Sequence, residues 1–216
     1  MDAVPDRPSD LAFTPTVKAV QARRGSRRAY ARMEDGAGWA TALPGELQAF
    51  VEQQTTAYLA TANADGQPYV QHRGGPAGFL RVLDERTIAF ADFAGNRQYV
   101  TTGNLQDNPK AHLFLMDYAR RQRVKLWGEA RVVEGDAALL AALMPTGYAA
   151  RGEQVIVFTV KAWDVNCPKH IPQVLPAADV QRVLEENASR IAALEAEVVR
   201  LTASLQSVAS LLPSKP

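Results

Sequence analysis

The sequence predicts a mainly β, α+β chain in which six or seven strands make an antiparallel barrel. Helices precede the barrel and one long heptad-repeat helix follows it. Three observations carry this reading. Strand-like runs recur between residues 57 and 163. Most of them are joined by hairpin-length turns, whereas a parallel sheet would need a helix at every crossover. A final segment, residues 179–212, repeats its apolar residues every three and four positions.

Taken in order, residues 1–12 read as a disordered lead-in. "PTVKAVQARRGSRRAYARME" (15–34) reads as two short helices broken at Gly25, and Pro44 opens a third in "PGELQAFVEQQ". "AYLATA" and "QPYVQHR" form a hairpin about the Asp65-Gly66 turn. "FLRVL" and "TIAFADF" form a second, and "AHLFLMDY" and "VKLWGEARVVE" a third, through the basic turn "ARRQR". "DAALLAALM" is a short helix and "QVIVFTVKAW" the last long strand. Expected divisions are a lead-in with helices over 1–44, a barrel domain over 45–175, and a terminal helix over 176–216.

In that terminal helix Ile191, Leu194, Val198, Leu201, Leu205, Val208 and Leu212 keep a strict a/d register that extends back through Leu184 and Asn187. No glycine or proline interrupts it from Ala177 to Leu212. A single amphipathic helix lying on its own domain would show a wider apolar face. The narrow seam favours self-association through a coiled coil, with Asn187 at a core position fixing register.

Composition excludes several classes. Hydrophobic residues make up 47% and charged residues 22%, the balance of a globular protein. Twenty-four basic and 23 acidic side chains leave a net charge of +1, without the strongly basic face of a nucleic-acid binder. "RRGSRR" (23–28) accordingly reads as a solvated helix face. The single Cys167 forms no internal disulfide and reads as a small buried residue. No run is long and apolar enough for a membrane span, "MDAVPDRPSDLAF" lacks a secretory core, and the cytoplasm is expected. His72, His112 and His170 have no metal-ligand spacing, so no metal is expected.

The chemistry concentrates in "FADFAGNRQYVTTGNLQDNP" (90–109), where a strand gives way to a helix. A helix N-terminus exposes unpaired N–H groups and partial positive charge. Gly95 allows close backbone approach, Asn96 can cap the helix or donate its amide, Arg97 supplies a charged donor fork, and Gln98 adds a neutral donor. On local chemistry alone this is either a monophosphate site or a capped surface helix with a solvated arginine.

"FADFAGNRQ", followed by "NLQDNP" and "AHLFLMDY", resembles the pyridoxamine 5'-phosphate oxidase family of FMN-binding split-barrel proteins. That family's Gly-Ser-Arg-Lys turn holds the FMN phosphate; Asn96, Arg97 and Gln98 stand at the matching positions. The resemblance places Gln71, His72 and Arg73 of "ATANADGQPYVQHR" along the flavin, and Ala91 and Asp92 where the next strand meets it. It places Arg123 near a flavin-reaching position of "RRQRVKLWGEARVVE", and Trp163 of "WDVNCPKHIP" near the flavin of a partner subunit. It spans roughly residues 45–165 and is nearest to a subgroup related to the oxidase. It implies FMN, a homodimer or higher oligomer, and a flavin-dependent oxidoreductase acting on a small redox substrate. The alternatives are a non-catalytic flavin-binding sensor or carrier, or the same fold holding haem or F420. Where the oxidase ends in Arg-x-His, this chain has "CPKHIPQ", and the phosphate lysine is Gln98. Vitamin B6 phosphate oxidation is therefore not expected.

Overall fold

The computed structural model describes residues 6–165 and 168–210, with side chains through Ser207. The expectations for residues 1–5, Asn166, Cys167 and Leu212, and for the side chain of Val208, lie outside the described residues. The strands are β1 (Thr56–Ala62), β2 (Pro68–Gly74), β3 (Arg81–Asp84), β4 (Thr87–Phe93), β5 (Lys110–Asp117), β6 (Gln122–Val133) and β7 (Gly152–Val165). The helices are α1 (Pro15–Arg23), α2 (Arg27–Asp35), α3 (Gly45–Gln53), α4 (Val100–Asp107), α5 (Ala137–Leu143) and α6 (Ala177–Ser210). The chain divides into two compact units, Met1–Ile171 and Pro172–Pro216.

In the first unit the strands form one antiparallel sheet in the order β2-β1-β5-β6-β7-β4-β3. The sheet does not close: no ladder joins β2 to β4. This is the expected split barrel. Side-chain alternation sorts residues between two cores. Leu59 of β1, Leu113 and Leu115 of β5, Leu126 of β6, Ile156 and Phe158 of β7, and Ile88 and Phe90 of β4 pack inward with Phe50 and Val51 of α3. On the other face Ala89, Ala91, Val155 and Val157 meet α5 through Leu139, Leu140 and Leu143. β4 and β7 are thus covered on both sides, which is why "TIAFA" and "QVIVF" read as continuous apolar runs.

The lead-in is ordered where it is described, contrary to expectation. Residues Pro8–Leu11 form a 3-10 turn, and Ser9 is buried. Its anchor is Glu34 of α2, whose buried carboxylate pairs with Arg27 and Arg7 and accepts from Ser9 Oγ at 3.4 Å. Part of "RRGSRR" thus makes internal pairs rather than a solvated face. Phe13 reaches Trp39, which stacks on Trp127 with ring centroids 4.6 Å apart. Gly25, at φ 83°, makes the break between α1 and α2.

Burial beside Trp127, with Lys125 nearby, pushes His112 down to about 4. The unfolded chain, at about 6.5, therefore takes up this proton first on acidification. The neutral ring's stabilisation is present above pH 6.5 and is lost as pH falls toward 4, to a limit of about 3 kcal/mol. His112→Phe is expected to flatten denaturant-measured stability over that window; an unchanged pH slope would contradict this placement.

Candidate functional site

Asn108 precedes Pro109 and is extended (φ −143°, ψ 105°), which ends α4 there. At the other end the chain leaves β4 at Phe93 and does not enter α4 until Val100. The expectation that the helix opens at Asn96 is corrected: Asn96 Oδ1 accepts from the Gln98 backbone N–H at 3.2 Å, a local turn and not a helix cap. Arg97 (φ 58°) and Tyr99 (φ 52°) both adopt left-handed backbone, costly for residues with a Cβ and concentrated at functional sites. The turn sends the Arg97 guanidinium to Glu153, at the start of β7, with contacts of 3.0 and 3.2 Å. That hydrogen bond raises the Arg97 pKa.

The turn borders the split between β2 and β4. Arg73 of β2 and Asp92 of β4 face each other across it, Nε to Oδ1 at 3.4 Å, both side chains largely buried. Asp92 Oδ2 accepts from Gln154 Nε2 at 2.9 Å, and the same nitrogen donates to Thr102 Oγ1 at 2.9 Å. One amide thus links β4, β7 and the first turn of α4. Asn104 Nδ2 donates to Thr61 Oγ1 at 3.0 Å in the interior, tying α4 to β1.

Two adjoining, solvent-open clefts occupy the split. They share Gln71, Arg73, Asp92, Phe93 and Gly95. The first is completed by Asn96, Arg97, Thr101 and Glu153, and the second by His72 and Ala91. Seven of the ten sequence-predicted residues therefore assemble at one place: Gln71, His72, Arg73, Ala91, Asp92, Asn96 and Arg97. Gln98 is exposed and lines neither cleft. Arg123, opposite Met116 on β6, lines neither. Trp163 is also away from them, its indole N–H donating to the Ala42 carbonyl at 2.8 Å. Exposed His170 lines neither. Among the described residues no cluster of His, Cys, Asp and Glu could hold a metal, and no helix is long and apolar enough to cross a membrane.

Among the described residues, two buried side-chain polar atoms have no hydrogen-bond partner in the chain: Arg73 Nε and Thr101 Oγ1. Both residues line the first cleft. A buried polar group left unpaired costs about 1–3 kcal/mol. An unpartnered hydroxyl and a guanidinium nitrogen held only by a 3.4 Å ion pair to Asp92, beside the Arg97 guanidinium and the backbone N–H groups of the turn, suit an anionic oxygen cluster. Sequence reasoning missed Thr101, Thr102, Glu153 and Gln154. The available signal was the polar pair Glu153-Gln154 heading an apolar strand that pairs, Gln154 to Asp92, with a strand already assigned to the site.

These features define an antiparallel split barrel with an anion-suited cleft in its split. The family model described as pyridoxamine 5'-phosphate oxidase matches residues 43–167, and the chain belongs to that family. No curated protein matches the chain. Solved structures similar to it include a putative pyridoxamine 5'-phosphate oxidase from Lactobacillus delbrueckii, 22% identical, covering 58% of this chain and 95% of that one, with TM-score 0.45. An FMN-binding protein from Syntrophomonas wolfei is 13% identical, covering 68% and 97%, with TM-score 0.43. HutZ, the heme storage protein from Vibrio cholerae, is 18% identical, covering 57% and 94%, with TM-score 0.42.

Thr101→Val preserves side-chain shape and removes a hydroxyl that the ligand-free fold leaves unpaired. It is expected to stabilise the ligand-free protein by about 1 kcal/mol, read as a higher midpoint in urea. A lower midpoint would show that the hydroxyl is already satisfied.

Proposed function

We propose that this chain binds FMN in the split between β2 and β4 and serves as a flavin-dependent oxidoreductase for a small-molecule substrate. The observation that carries this reading is the buried, unpartnered Thr101 hydroxyl together with Arg73 Nε, held only by a 3.4 Å ion pair to Asp92, at the same cleft as Arg97. Membership of the family supports the choice of FMN among anionic ligands.

Arg97, the Thr101 hydroxyl and the backbone of the Gly95–Tyr99 turn are the proposed phosphate contacts. Arg73 extends the positive charge toward the second cleft. Gln71, His72 and Ala91 line the part left for the ring system, Ala91 giving a small apolar wall. Tyr69 Oη donates to Gln71 Oε1 at 2.8 Å, which turns the Gln71 side-chain N–H groups free for a ligand. Asp92 is held by Arg73 and Gln154 and is assigned to positioning. When bound, the flavin supplies the redox chemistry, and the protein supplies binding, orientation and electrostatics. Gln98 and Arg123 fall outside this set, and Trp163 is assigned to the cofactor of a second copy.

Glu153 competes with a phosphate for Arg97. Two substitutions should therefore move affinity in opposite directions when FMN binding is followed by quenching of its fluorescence. Arg97→Ala is expected to weaken binding about tenfold, the loss of a charged hydrogen bond of roughly 1.5–3 kcal/mol. Glu153→Gln is expected to strengthen it about two- to fivefold, since an exposed ion pair is weak in water and its loss frees the guanidinium for the phosphate. Unchanged affinity in both would remove the phosphate assignment, and no FMN binding by the wild-type chain would remove the function.

A further inference from the structure

We propose that α6 pairs with α6 of a second copy as a parallel, in-register, two-stranded coiled coil, specified by reciprocal Arg190–Glu195 pairs. The occupant is another copy of this chain, and the reasons lie in the helix itself. α6 runs 34 residues, and its seam is exposed: Leu184 58%, Ile191 56%, Leu194 56%, Val198 61%, Leu201 48% and Leu205 70%. A long helix in water depends mostly on burial of its apolar face.

The seam's composition points to two parallel strands. In the central two heptads the a positions are the β-branched Ile191 and Val198, and the d positions are Leu194 and Leu201.

The charges agree. Away from the seam, Arg182 pairs with Asp179 and Glu186. Glu197, at a g position, is held by Arg200 of its own helix. Arg190 (g) and Glu195 (e), which flank the seam, form no such contact among the described residues. In a parallel in-register pair each g residue meets the e residue of the next heptad on the other strand, so Arg190 meets Glu195 twice, once on each side.

One antiparallel register fails on the same residues. In the antiparallel register that places Val198 opposite Leu194, Glu195 falls opposite Glu195 and Glu197 opposite Glu197. Asn187 then faces Leu205, leaving its amide without a polar partner. In the parallel pair Asn187 faces Asn187, and the two amides bond one another.

The test uses the full chain with Cys167→Ser as background and a single cysteine at a d position, Leu194→Cys or Leu201→Cys. Parallel in-register strands bring each such cysteine opposite its own copy, near the Cα separation of about 6 Å that a disulfide requires. Circular dichroism verifies that each variant keeps its helix. The expected result is a covalent dimer from both variants under mild oxidation. Adding Arg190→Glu should lower the crosslinking rate several-fold, and the double swap R190E/E195R should restore it. Three results overturn the proposal: no crosslink from either position, equal rates in all charge variants, or preferential mixed crosslinking of Ile191→Cys with Leu201→Cys copies. Total mass is not the readout, because it does not report which surface joins the copies.

Discussion

The contact between Arg73 and Asp92 spans the split between β2 and β4, which no backbone ladder closes. Every other neighbouring pair of strands is joined by a ladder. Here the edge-side strands β2 and β4 meet through side chains, and the space a ladder would fill becomes a cleft. The ion pair is long, at 3.4 Å, and leaves Arg73 Nε without a hydrogen bond. Burying such a group without full satisfaction is unfavourable for the fold alone. It is favourable for a site that must receive an anion. Asp92 is fixed from its far side by Gln154, which also holds Thr102, so the split, β7 and the first turn of α4 form one hydrogen-bonded unit.

The 95–99 turn belongs to the same economy. Left-handed backbone at Arg97 and Tyr99 costs about 1–3 kcal/mol per residue. It carries the Arg97 side chain to the mouth of the cleft, where Glu153 holds it in the ligand-free protein. An arginine with an internal counter-ion is kept oriented, and its affinity for a ligand is moderated because one partner must be exchanged for another. The resemblance leads one to expect a second cation beside Arg97, and Gln98 at that position is exposed and lines neither cleft.

Much of this was legible in the sequence. Alternation located β1, and continuous apolar runs located β4 and β7, because β1 buries one face and the other two bury both. The resemblance brought Gln71, Arg73, Asp92 and Arg97 together although they span 27 positions. Three matters were hidden. The start of α4 was misplaced because Gly95-Asn96 is a good capping signature, and only the left-handed residues that follow show the chain continuing its turn. The lead-in looked disordered because its anchors, Glu34 and Trp39, lie well downstream in the sequence. Thr101 was invisible because an unpaired hydroxyl is a property of three-dimensional surroundings. The heptad pattern, by contrast, can be read without a fold, since helical period alone fixes which residues share a face.

In the proposed site an anionic group is held at the cleft by Arg97, Thr101 and the 95–99 turn. Comparing FMN with riboflavin, which has the same ring system without the phosphate, isolates that group. The two are titrated into the full chain at low salt and followed by flavin fluorescence. The account predicts that FMN binds at least about tenfold tighter, the worth of one charged hydrogen bond, and that inorganic phosphate erodes the difference. Equal affinity for the two, or retention of neither, would contradict it.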